Sequence, residues 1–124
     1  MAVQRLAARV EEALEDRKGL DIVRLDLRGR SPFTDFFIVV TGTSDTHVRA
    51  LAEAVDTWAG KNHIPVLGVE GLPAAEWVLL DLGDVVVHVF QRKTREFYDL
   101  ERLWSPEVAA IEGRRALVAG ADGG

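Results

Sequence analysis

The stretch Thr41-Gly42-Thr43-Ser44 carries the strongest small-ligand signal in the chain, because a glycine and hydroxyl turn opening a helix presents backbone amides that can receive a phosphate. Nucleotidyl transfer would also need two or three carboxylates holding a divalent metal against the developing charge. Asp81 and Asp84 are the nearest pair to that pattern. They do not share a strand face, since Asp84 falls in a turn, and the loop lacks both the lysine of a P-loop and the three-glycine dinucleotide fingerprint. A magnesium-dependent nucleotidyltransferase-like enzyme is therefore the alternative reading, and a hydroxyl-capped strand-to-helix turn accounts for the motif. His47, His63 and His88 are scattered, with no close pair to suggest zinc ligation. The sequence has no cysteine, which removes disulfides, thiolate metal sites and a cysteine nucleophile. No catalytic residue, cofactor or metal is assigned.

A different kind of chemistry, that of a contact surface, is offered by Trp77, Asp81, His88 and Phe90. The segment from Trp77 to Phe90 predicts two strands joined at Gly83-Asp84, with Gly83 supplying the positive φ of a II′ turn. Pairing Leu82 with Val85 sets Asp81 against Val86, Leu80 against Val87, Leu79 against His88, Val78 against Val89 and Trp77 against Phe90. Alternation then puts Val78, Leu80, Leu82, Val85, Val87 and Val89 on one wholly aliphatic side. Trp77, Leu79, Asp81, Val86, His88 and Phe90 share the other. If the helices pack on the aliphatic side, the aromatic and ionisable side is left uncovered, as a partner site would be. A neutral, hydrogen-bonded histidine and core-filling tryptophans are the plainer readings of His88, Trp77 and Trp104.

The remaining elements must position that hairpin. Val3 to Lys18 has an amphipathic helical stripe of Val3, Leu6, Ala7, Val10, Ala13 and Leu14, with Gly19 as its expected left-handed cap. Asp21 to Leu27 alternates as a half-buried strand, and Phe33 to Thr41 predicts a strand covered on both sides. Ser44 or Asp45 caps a second helix with the stripe Val48, Leu51, Ala52, Val55 and Trp58 or Ala59, stopping near Gly60 and Asn62. Ile64 to Val69 contains Pro65 and suits an edge strand. Thr94 is placed to cap a last helix running to Trp104, in which Phe97 and Leu100 are assigned to packing. The order α-β-β-α-β-β-β-α predicts a single-domain α/β fold with a mixed sheet of about five strands and helices mainly on one face.

With 124 residues, 48% of them hydrophobic and 28% charged, the chain has the composition of one globular domain. Its formal net charge of −5 disfavours a role in coating nucleic acid and suits a basic protein partner. The apolar runs fall well short of the ~20 residues that span a bilayer, and the N-terminus shows neither a signal peptide nor a transit segment, so a cytoplasmic location is expected.

Several segments together, in order, resemble the Iojap or ribosomal silencing factor family: Asp21-Ile-Val-Arg-Leu-Asp-Leu27, Ser31-Pro-Phe-Thr-Asp35, Thr41-Gly-Thr-Ser44, Glu70-Gly71, the hairpin Trp77 to Phe90, and Arg95-Glu-Phe-Tyr-Asp-Leu-Glu-Arg-Leu-Trp104. The resemblance implies a family domain over residues 1–105; from Glu107 onwards the apolar residues are sparse, and the tail over 106–124, closing on Gly120-Ala-Asp-Gly-Gly124, is expected to be mobile. The resemblance also implies a nucleotidyltransferase-like fold without catalysis, and a factor that binds the large ribosomal subunit through universal large-subunit protein fourteen. Such a factor blocks subunit joining, represses translation when nutrients are scarce, and forms homodimers. No membrane and no direct sequence-specific nucleic acid binding are implied. Carried over by motif, the docking region falls on Trp77, Asp81, His88, Phe90, Arg95, Tyr98, Asp99, Glu101 and Trp104. The Leu72-Pro73-Ala74-Ala75 segment after Glu70-Gly71 lies where the family varies.

Overall fold

A computed structural model describes residues 2–104, so the expected tail over 106–124 lies outside the described residues. The elements run α1 (Val3–Asp16), β1 (Leu20–Asp26), β2 (Phe36–Gly42), α2 (Asp45–Lys61), β3 (Gly68–Glu70), β4 (Trp77–Asp81), β5 (Val85–Gln91), α3 (Arg92–Tyr98) and α4 (Leu100–Leu103). The five strands form one mixed sheet in the order β1-β2-β5-β4-β3, in which only β2 and β5 pair in parallel. The predicted α/β class holds. A parallel pair needs a long crossover, and α2 is part of the one that connects β2 to β5.

The hairpin has the register that alternation demands: Trp77 faces Phe90, Leu79 faces His88 and Asp81 faces Val86. Gly83 takes φ +86° in its turn, and the Leu82 amide donates to the Val85 carbonyl. The aliphatic side is the core. Val78, Leu80, Leu82, Val85, Val87 and Val89 are buried against Leu6, Val10 and Leu14 of α1 and Val48, Leu51 and Val55 of α2. Burial of this kind stabilises by about 1.5–3 kcal/mol for each large aliphatic side chain, which is what holds the two long helices to one face.

Several boundaries differ from expectation. Lys18, not Gly19, takes the left-handed conformation after α1 (φ 61°). Ser44 rather than Asp45 caps α2, accepting from the His47 amide, and that helix runs through Gly60 to Lys61. The Pro65 strand shrinks to the three residues of β3, which do lie at the sheet edge. Phe33 stands outside β2 and is 88% exposed. On β1 the polar residue Arg24 lies on the helix side, opposite Ile38, and makes a two-pronged ion pair with Glu11 of α1 at 2.7 Å. The strand sits at the edge of the apolar stripe, so its polar side is partnered instead of wet. Among the described residues, no helix is long and apolar enough to cross a membrane.

Candidate functional site

The face opposite α1 and α2 is built from alternate residues of four strands. Paired residues project to the same side, so Val23 and Leu25 join Phe37, Val39, Thr41, Val86, His88, Phe90, Trp77, Leu79 and Asp81 there. This face is not bare. Tyr98 packs on Trp77 with ring centroids 4.7 Å apart and planes tilted by 50°, and Trp104 meets Phe37 edge-on at 5.7 Å. Arg95 reaches down to the Thr41 hydroxyl at 2.9 Å and grips Glu101 through both carboxylate oxygens. The Trp104 carbonyl accepts from Arg30 at 2.9 Å.

The expectation of an uncovered wall therefore needs correction. The chain turns back after β5 and lays α3, α4 and Trp104 over part of the sheet. The last helix is two helices, because Asp99 adopts φ 46° and breaks the helical spacing between Phe97 and Leu100. Thr94 lies inside α3 and does not cap it. Phe90 is fully buried and His88 is 3% exposed, so neither forms outer surface. Arg95 and Glu101 neutralise each other as a largely buried pair. Trp77, Asp81 and Trp104 remain half-buried, while Tyr98 and Asp99 are exposed.

His88 organises the aromatic layer. The Trp77 indole N–H donates to His88 Nδ1 at 3.1 Å, and the Phe37 ring meets the imidazole edge-on at 4.5 Å. Burial disfavours the charged ring and pushes its pKa down to about 4. Phe90 packs against Trp77 at 4.9 Å, so the two buried rings act as a platform that fixes the two outer ones, Trp77 and Tyr98.

Residue chemistry missed one part of this surface. Phe97, assigned to packing, is 81% exposed beside Tyr98, and Leu103 is 54% exposed. Apolar character alone does not separate a ring in the core from one on a contact surface.

The Thr41-Gly42-Thr43-Ser44 turn is consumed by local bonds. The Thr43 amide donates to His47 Nδ1, the His47 amide to Ser44 Oγ, and the Thr46 amide to Asp45 Oδ1. Asp81 Oδ1 accepts from the Gly83 amide, and Asp84 lies in that turn, next to the start of β2, where its carbonyl accepts from Asp35 and Phe36. Seven residues of β2 separate the two ends, about 20 Å at the rise of a strand, so these carboxylates do not converge on Ser44.

The family model described as "Ribosomal silencing factor during starvation" matches residues 1–119. Ribosomal silencing factor RsfS of Bacillus subtilis is 46% identical over 92 residues, which is 74% of this chain and 78% of that protein. The crystal structure of a Chromobacterium violaceum protein superposes with a TM-score of 0.82 at 42% identity, covering 84% of this chain and 87% of that one. A mouse protein named for mitochondrial assembly of the ribosomal large subunit is 30% identical over 97 residues, 74% of this chain and 42% of that protein. With its sequence matched nearly end to end and its fold shared, the chain belongs to the ribosomal silencing factor family, whose members are ribosome-associated regulators and not enzymes.

Proposed function

We propose that this chain binds the large ribosomal subunit by docking its aromatic sheet face on universal large-subunit protein fourteen. Bound there, it blocks joining of the small subunit and represses translation in nutrient limitation. In this reading it works in the cytoplasm and is a homodimer when free. The observation that carries the proposal is where the exposed large apolar side chains gather. Phe97, Tyr98 and Leu103 lie on the two short helices over this face, and Phe33 lines a groove with Trp104. Exposed apolar clusters of this kind mark contact sites.

Of the residues carried over by motif, direct contact falls to Trp77, Asp81, Tyr98, Asp99 and Trp104, joined by the exposed Phe97 and Leu103. His88, Phe90, Arg95 and Glu101 support them from beneath. Asp81 and Asp99 suit a basic protein partner, and charges at the rim govern association rate and salt dependence more than residence time. Names among the relatives support the large subunit as target, since one relative is named for assembly of that subunit.

Neither α3 nor α4 has a buried residue, so truncations there leave the core intact. Combined Phe97→Ala and Tyr98→Ala is expected to weaken co-sedimentation with purified large subunits by about 2 kcal/mol or more, as loss of central aromatic anchors does. Unchanged co-sedimentation of the folded variant would remove this face from docking.

A further inference from the structure

On the side of the sheet that α2 covers, a groove of about 480 Å³ opens between α2, β3 and the loop that follows β3. Ala52, Val69, Leu72, Pro73 and Leu80 give it an apolar lining, and Leu72 is left 41% exposed. β3 is the last strand of the sheet, so among the described residues no further strand closes the outer side. The α2 wall adds Arg49, Glu53 and Asp56. The buried polar side chains of the described residues are Thr34, Thr41 and His88, and none of them lines this groove. A small-molecule pocket fixes its guest by polar groups set among the apolar ones, whereas here Glu53 and Asp56 are exposed. An apolar centre inside a charged margin is the anatomy of a protein contact.

The charge of that margin identifies the guest. Arg49 is already engaged: its Nη1 donates to Asp45 at 3.3 Å, and its Nε and Nη2 donate to the Leu72 and Pro73 carbonyls at 3.1 and 2.7 Å, which ties the loop wall to α2. Glu53 and Asp56 stand three residues apart on one helix and are therefore surface neighbours. Among the described residues, neither belongs to an ion pair. An anionic guest would meet both carboxylates. A lysine or arginine beside an apolar anchor satisfies margin and lining together, and the formal net charge of −5 weighs against a second copy as the occupant.

We propose that this groove is a second docking surface, which takes a basic protein segment by seating an aliphatic side chain against Val69, Leu72 and Leu80 while a neighbouring lysine or arginine pairs with Glu53 and Asp56. Leu80 points to the opposite side of β4 from Leu79 and Asp81, so the groove stays open when the aromatic face is occupied. The two surfaces are independent, and this one stands whether or not the aromatic face docks on the ribosome.

The test is a low-salt titration of the whole 124-residue chain, with ¹³C-labelled leucine and valine methyls, by acetyl-Lys-Leu-Lys-amide, acetyl-Lys-Ser-Lys-amide and acetyl-Glu-Leu-Glu-amide. The first peptide should shift the methyls of Val69, Leu72 and Leu80 saturably. Its affinity should fall about fivefold in the Glu53→Gln, Asp56→Asn double variant, and the serine peptide should bind wild type about tenfold more weakly. Both substituted residues are exposed, so methyl positions elsewhere should match wild type. No saturable shift, equal response to the acidic peptide, or undiminished affinity in the double variant overturns the assignment.

The Phe97→Ala, Tyr98→Ala variant separates this surface from the aromatic one. It should bind the lysine peptide as wild type does, and loss of the response there would place the peptide on the opposite face and overturn the groove. Shifts of the same three methyls on diluting the protein alone would give the groove to a second copy, which equally overturns a basic segment as its occupant.

Discussion

His88 is held uncharged between Trp77 and Phe37, and its stability contribution depends on pH in a defined direction. The free imidazole titrates near 6.5 and burial pushes that of His88 down to about 4, so between these values the unfolded chain binds a proton that the folded chain refuses. The contribution is complete above about pH 6.5 and is lost as pH falls toward 4, on the order of 3 kcal/mol across the whole window. Urea denaturation at pH 7 and pH 4.5 should show the wild type losing about 2 kcal/mol more than His88→Phe. Equal losses would mean that the ring is not desolvated as described. At this scale the sequence placed His88 beside Trp77, Asp81 and Phe90 correctly, because alternation along a hairpin is a local property. It did not reveal that Phe90 and His88 are covered while Phe33 and Phe97 are exposed. Aromatic side chains carry the same apolar signature in either place, and what covers them is decided by distant segments.

Among the elements, the hairpin is the one whose position everything on the open face inherits, and Gly71 sets how the chain approaches it. Its φ is +92°, and a side-chain carbon there would stand 2.0 Å from the Trp77 carbonyl oxygen. Gly71→Ala should therefore cost about 2–3 kcal/mol and alter the near-ultraviolet signal of the tryptophans, both measured by circular dichroism during denaturation. A variant of native stability would contradict this account of the Glu70-Gly71 turn. The hairpin was legible because glycine at the turn and matched alternation on both arms agree with one register. The break between α3 and α4 was not, since Asp99 in a left-handed conformation lies within a segment whose apolar spacing suits one continuous helix. The contacts of Arg95 with Thr41 and Glu101, and of Tyr98 with Trp77, hold the bent form, and the first and last of these reach far along the chain. The parallel pairing of β2 with β5 was hidden for the same reason: no local pattern names a strand's neighbour across a crossover.

At the scale of the whole molecule, two helices seal one face of a five-stranded sheet, and the other face carries a partly covered aromatic layer ringed by exposed apolar side chains. Among the described residues, Asp81 and Asp84 lie at the opposite end of β2 from Ser44 and do not compete with the proposed docking face. Under the proposed function, a protein built this way acts by occupying a place. Family membership, legible in the order of the sequence segments, gives the coarser role of a ribosomal silencing factor. The most direct measurement is a subunit-joining assay. Purified large subunits are preincubated with the wild-type chain or with the Phe97→Ala, Tyr98→Ala variant, small subunits are added, and the joined fraction is read on a sucrose gradient. Wild type should lower the joined fraction in proportion to its occupancy of large subunits, and the variant should restore joining at the same concentration. Undiminished joining with large subunits fully occupied by wild type would contradict the account.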